Sequence, residues 1–239
     1  MARARRKAEL DADLAWSGFF KDADWMFKVG IGGTINAAAL VLAVAHPLFI
    51  PVVCALFAVV SGYLLRLIRF KMLDPECKLP PWDDWLELIV SGMTWLAIQF
   101  GYYLAVASTI TTTLLIGAGS GRVTAHSPEF VPWALISIFL VAAISLTVSF
   151  ISPFLMVNFA VEERIAAGFA LRKVYRRTRN NPRNMLLAWL LSTGLLWAAA
   201  VLPALTLIGI FFLPSTVFIA QVLSAVLATQ VWGSDKQDS

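Results

Sequence analysis

Charge is what this sequence has least of. Only 14% of its 239 residues are Asp, Glu, Lys or Arg, against roughly 25% in ordinary soluble domains. That scarcity excludes a disordered chain and a nucleic-acid-binding domain, and it makes a soluble enzyme of this size improbable. Cysteine and histidine are almost missing, with two of each. Cys54 lies in an apolar run and Cys77 in a polar loop. Neither belongs to a CxxC or other spaced set, so no disulfide framework or zinc site is indicated. His46 and His126 fall at an outer turn and in an outer loop. Haem, di-iron and zinc enzymes need clusters of such ligands, so no cofactor is expected. Nucleophile-elbow and phosphate-loop spacings are absent. Gly117-Ala118-Gly119-Ser120-Gly121 is Gly-rich, but it follows an apolar span and lacks Lys. No cleavable signal peptide is visible, because Met1 to Leu14 is charged throughout and has no apolar core.

What is present is apolar. Hydrophobic residues make up 59% of the chain, and the mean hydropathy is +0.76. A bilayer core of about 30 Å needs roughly 20 apolar residues per helix. The sequence reads as an all-α integral membrane protein, a bundle of six spans at about 25–45, 48–70, 85–116, 131–161, 184–203 and 212–232. His46-Pro47 breaks the first two. The third and fourth exceed the bilayer and must tilt, kink or project, with Pro153 a kink point. The turn between the last two falls somewhere between Pro203 and Pro214. Residues 1–24 form an interfacial segment, 162–183 a basic one and 233–239 a polar tail. Nine Trp suit a membrane–water interface.

The charges test the count of spans. With the N-terminus in the cytoplasm, six spans put every basic residue except Arg122 on the inner side, out of 19. The positive-inside rule then gives a multi-pass membrane protein with both termini cytoplasmic. Gly62-Tyr63-Leu64-Leu65-Arg66-Leu67-Ile68-Arg69 also lines up with Gly168-Phe169-Ala170-Leu171-Arg172-Lys173-Val174-Tyr175. The echo suggests helical hairpins stacked as related units.

Three groups of residues are candidates for function. At 100° per residue, Arg172, Lys173, Arg176, Arg177 and Arg179 share one arc of an interfacial helix. Ala167, Ala170, Leu171, Val174, Tyr175 and Thr178 share the opposite arc, while Ile165 and Phe169 break the pattern. This fits anionic lipid headgroups at the cytoplasmic face, an acidic partner, or a plain topology anchor. Asp83, Asp84 and Glu87 open the third span. Asp84 and Glu87 have capping-box spacing and suit the helix dipole, and with Arg66 and Arg69 they make an ion-pair cluster. The sharper alternative is a carboxylate site for a metal or for acid–base work. Deep in the spans, Asn36, Gln99, Asn158 and Gln221 either line a polar path or bond between helices. Lys28 and Glu87 sit near span ends, within reach of the interface.

Four elements occur in order: Phe20-Lys21-Asp22-Ala23-Asp24-Trp25, then Gly30-Ile31-Gly32-Gly33, then Gly62-Tyr63 to Arg69, then Leu79-Pro80-Pro81-Trp82-Asp83-Asp84-Trp85. Together they resemble the prokaryotic membrane family catalogued as domain of unknown function 4013, over residues ~19 to ~230. The resemblance implies a six-span fold, no assigned activity and no catalytic residue. The function expected is therefore a non-enzymatic scaffold or accessory subunit. It would pack against other membrane-protein subunits or organise lipid at the cytoplasmic face. A permease or channel for a small neutral or lipidic solute is the alternative, and a membrane enzyme using Asp83, Asp84 and Glu87 is the third.

Overall fold

The computed structural model describes residues 16, 19–119 and 130–234. The basic run at residues 3–7, the loop residues Arg122 and His126 and the tail from 235 lie outside them. Among the described residues the chain is helical and contains no strand. Helix α1 is Trp25–Ala45 and α2 is Ile50–Leu73. Helix α3 is Trp85–Gly119 and α4 is Phe130–Glu162. Two short helices follow, α5 (Ile165–Gly168) and α6 (Leu171–Asn180). Helices α7 (Pro182–Ala204) and α8 (Leu207–Ser234) complete the order. Six segments are long and apolar enough to cross a membrane: 25–45, 47–73, 85–117, 131–162, 182–204 and 208–233.

Local chemistry sets the boundaries. Pro47 disfavours helix at His46, which is extended at φ −167° and ψ 142°. The His46 Nδ1 accepts from the Leu48 N–H at 3.1 Å and starts a single 3-10 turn, Pro47–Phe49. The last two spans turn at Leu205-Thr206, inside the Pro203–Pro214 window. Thr206 Oγ1 accepts from the Gly209 N–H at 2.9 Å and caps α8, so Pro214 lies inside that helix. The basic segment is not one helix. It breaks at Phe169-Ala170, where the apolar pattern also failed, and leaves α5 and α6 as separate pieces. The Gly62–Arg69 string lies within α2, whereas Gly168–Tyr175 crosses that break, so the two echoing strings have different local structures.

Two compact units form: residues 1–96 with 153–239, and residues 97–152. In the first, α1, α2 and α8 pack together and α7 packs on α8. Ala39, Ala58, Leu65, Leu67, Val157 and Phe218 are fully enclosed. Small residues let backbones approach. A Cβ at Gly33 would meet Ser215 Oγ at 2.1 Å, and one at Gly62 the Leu88 carbonyl at 2.0 Å. The second unit is a helical hairpin. Gln99 Nε2 donates to Ser152 Oγ at 2.7 Å, and Gly117 packs on the Trp133 ring.

Candidate functional site

The charged ends of the first unit converge on one loop, residues 74–84. Lys71 shapes its start, donating from Nζ to the carbonyls of Pro75 (3.1 Å) and Cys77 (2.6 Å). The Tyr63 hydroxyl donates to the Pro80 carbonyl at 3.1 Å, and its ring stacks on Trp82 at 4.0 Å. Trp82 Nε1 donates to the Lys28 carbonyl at 3.0 Å. Prolines 80 and 81 suit this run: without N–H donors, they expose carbonyls for Tyr63 and Arg66.

Arg66 is the hub. Its side chain is 8% exposed. Nη1 donates to Asp83 Oδ1 at 2.5 Å and to the Asp83 carbonyl at 2.9 Å, and Nη2 to Glu87 Oε2 at 2.6 Å. Arg69 reaches Glu87 Oε1 at 3.0 Å and Glu163 Oε1 at 3.1 Å. Glu163 holds a left-handed φ of 53° just beyond α4. Asp84, also left-handed at φ 48°, accepts the Glu87 N–H at 3.5 Å. The structure therefore brings Arg66, Arg69, Asp83 and Glu87 together, with Asp84 capping α3. Among the described residues, no three His, Cys, Asp or Glu side chains gather as a metal site would require.

Sequence reasoning missed Asp22 and named no partner for Lys28. Its Nζ donates to Asp22 Oδ2 at 2.6 Å and to the Leu79 carbonyl at 2.7 Å. Asp22 also accepts the Leu79 N–H at 3.2 Å and the Asp24 N–H at 3.0 Å. The available signal was a lone cation one turn inside an apolar span, which calls for an internal partner. Burial alone would raise the Asp22 pKa. The Lys28 hydrogen bond, the Asp24 N–H, the Lys28 charge and the Leu79 N–H outweigh it, so the pKa falls below the ordinary aspartate value. A depressed carboxylate stabilises the fold at every pH above its unfolded value, about 4. That contribution is lost only as the pH drops through the folded value. Acid titration of thermal stability should thus show a fall beginning below about pH 4. The Asp22→Asn variant should show a shallower fall, and an unchanged slope in that variant would remove Asp22 from the account.

The basic arc divides. Lys173 pairs with Glu162. Arg177 donates to the Trp232 carbonyl at 2.6 Å and lies 4.0 Å over the Trp232 ring. Arg177 thereby ties α6 to the end of α8, and Lys173 ties it to the end of α4. Arg172, Arg176 and Arg179 are exposed and pair with nothing among the described residues. Tyr175, read from the sequence as belonging to the opposite face, is 71% exposed beside them.

The deep polar residues each have their own ties. Asn36 Nδ2 donates to Gln221 Oε1 at 3.4 Å, joining α1 to α8. Asn158 Nδ2 donates to the Ala167 carbonyl at 2.8 Å, pinning α5 under α4. Gln99 bonds Ser152 within the hairpin. A groove of about 290 Å³ between α7 and α8 is lined by Trp16, Leu195, Ala199, Pro203, Thr216 and Leu223, among others. Its one hydroxyl, on Thr216, is already bonded to the Ala199 carbonyl at 2.8 Å.

A family model described as "Protein of unknown function (DUF4013)" matches residues 47–228. The chain belongs to this family. The matched region includes the Gly62–Arg69 element and the whole Leu79–Trp85 loop of this DUF4013 member. Asp22, just before α1, and Lys28, within it, clasp that loop and precede the match. Neither the curated proteins nor the solved structures offer a match.

Proposed function

We propose that the chain is a non-enzymatic membrane scaffold, an accessory subunit that packs against other membrane-protein subunits through the hairpin of residues 97–152. One observation carries this reading. Ser108, Thr111 and Thr112 face outward from α3, and the Thr111 and Thr112 hydroxyls bond nothing among the described residues. Acyl chains offer such groups no hydrogen bond. A neighbouring transmembrane helix does, and small hydroxylated residues let it come close. The opposite limb supports the same view: in the most apolar 18-residue stretch of 131–162, the chain itself buries 0%. Elsewhere the Asn36 and Asn158 amide groups donate to internal partners, as a rigid support requires. The reading sets both termini and the charged ends on the cytoplasmic side of a prokaryotic inner membrane, where the positive-inside rule puts Arg66, Arg69, Arg172 and Arg183. It also takes the successive helix pairs α1–α2, α3–α4 and α7–α8 as the stacked hairpin units.

A photo-crosslinking residue at Thr112, activated in native membranes, tests it. The expected result is one discrete adduct carrying a second, different protein. The same residue at Val41, exposed on α1, should give none. Lipid-sized adducts alone at both positions, or an adduct of twice the chain's own mass, would overturn the accessory-subunit reading.

A further inference from the structure

We infer that the outward stripe of α6 binds the phosphates of anionic phospholipids, with Arg172, Arg176 and Arg179 as the phosphate ligands and Leu171 and Tyr175 as the acyl-chain contacts. This inference does not depend on the hairpin's partner.

Helix geometry puts the three arginines together. At 100° per residue they fall within about 60° of arc, and seven residues of rise spread them over roughly 10 Å. The arc opposite them faces the protein. Val174 is 1% exposed, and Lys173 and Arg177 turn to Glu162 and Trp232. Those inward ties fix the rotation of α6, so the three remaining guanidinium groups have one direction left to point. All three are Arg, whose planar fork bonds phosphate oxygens in pairs where Lys offers a point charge.

What lies beside them selects the source of the phosphate. Leu171 is 46% exposed and Tyr175 71% exposed, on the arc adjoining the arginines. On the preceding turns, Ile165 and Phe169 are also exposed. A soluble acidic partner or free phosphate needs the cations alone. An apolar strip running alongside a cationic strip matches the boundary between headgroup and acyl chain. The segment is tethered there, since α4 ends at Glu162 and α7 begins at Pro182.

The experiment uses the full chain in mild detergent, titrated with phosphatidylglycerol, phosphatidylcholine or inorganic phosphate. Bound lipid is counted by native mass spectrometry. Phosphatidylglycerol should be retained over phosphatidylcholine. The R172Q/R176Q/R179Q variant should lose on the order of 100-fold in phosphatidylglycerol affinity, three cations each contributing about fivefold, with an unchanged melting temperature. The all-Lys variant should recover only part of that loss and respond more steeply to salt. L171S/Y175S should weaken retention with the arginines intact. Unchanged retention in the triple-Gln variant overturns the site. Equal competition by inorganic phosphate, or no effect of L171S/Y175S, overturns the assignment to lipid.

Discussion

Gly92→Ala and Gly62→Ala should each destabilise the protein by about 3 kcal/mol or more, at the upper end of what overpacking costs. A Cβ on Gly92 would lie 1.8 Å from the Ala58 carbonyl oxygen, and one on Gly62 2.0 Å from that of Leu88. Both obstacles are backbone, so no side-chain rotation relieves them, and α2 and α3 must move apart. Ordinary carbon contacts need about 3.5 Å, so the shift exceeds an ångström. That movement carries Tyr63 and Arg66 away from Trp82, Asp83 and Glu87 and loosens the loop bonds as well. Ala58 is one turn before Gly62, and Leu88 is one turn before Gly92, so the two contacts describe one crossing. A helix pair already forced open by the first methyl loses less to the second. The double variant should therefore cost less than the sum of the singles. Thermal or denaturant unfolding in detergent measures all three. Two small, additive losses would show that the crossing is looser than the structure has it.

The second large effect is at Arg66. Truncation to Ala strands the Asp83 carboxylate and carbonyl and leaves Glu87 with Arg69 alone, since this one guanidinium bonds all three groups. Breaking a fully buried pair costs about 3–5 kcal/mol. Asp83 and Glu87 are 65% and 43% exposed, so water takes up part of the loss and roughly 2 kcal/mol is expected. Arg66→Lys should recover about half, because an ammonium cannot fork between two carboxylates. If Arg66→Ala unfolds like the parent while Arg69→Ala does not, the hub has been assigned to the wrong arginine. Asp83→Asn with Asp84→Asn should lower folding yield in the same direction and by less.

The apolar helices and their number were legible because a hydrophobic run of about 20 residues is itself the physical requirement for a span. The ion-pair cluster was legible in its members, since Arg66, Arg69, Asp83 and Glu87 are unusual company at an apolar edge. Its geometry was not. Nothing in the spacing of Gly62 and Gly92 says that they face each other's helices. Nothing local says that Asp22 reaches Leu79, 57 residues away. The basic arc shows the same limit. Periodicity put five cations on one arc. Their partners, Glu162 for Lys173 and Trp232 from the far end of the chain for Arg177, separate the two that are tied from the three that point out. Long-range partners are what a periodic pattern cannot carry.

The loop clasp has a temporal side. Its bonded groups, from Asp22 through Tyr63 and Arg66 to Glu87, all come from the first 87 residues of the chain. Roughly 150 residues remain to be made after Glu87, which at about 5–20 residues per second takes on the order of ten seconds. In that interval the first two spans and the start of the third already hold every donor and acceptor of the clasp. The later helices then arrive at a finished template: Glu163 joins Arg69, and Phe218 closes against Tyr63 and Trp82. The order in which the chain is written thus becomes the order in which the bundle is assembled, with its charged end built first.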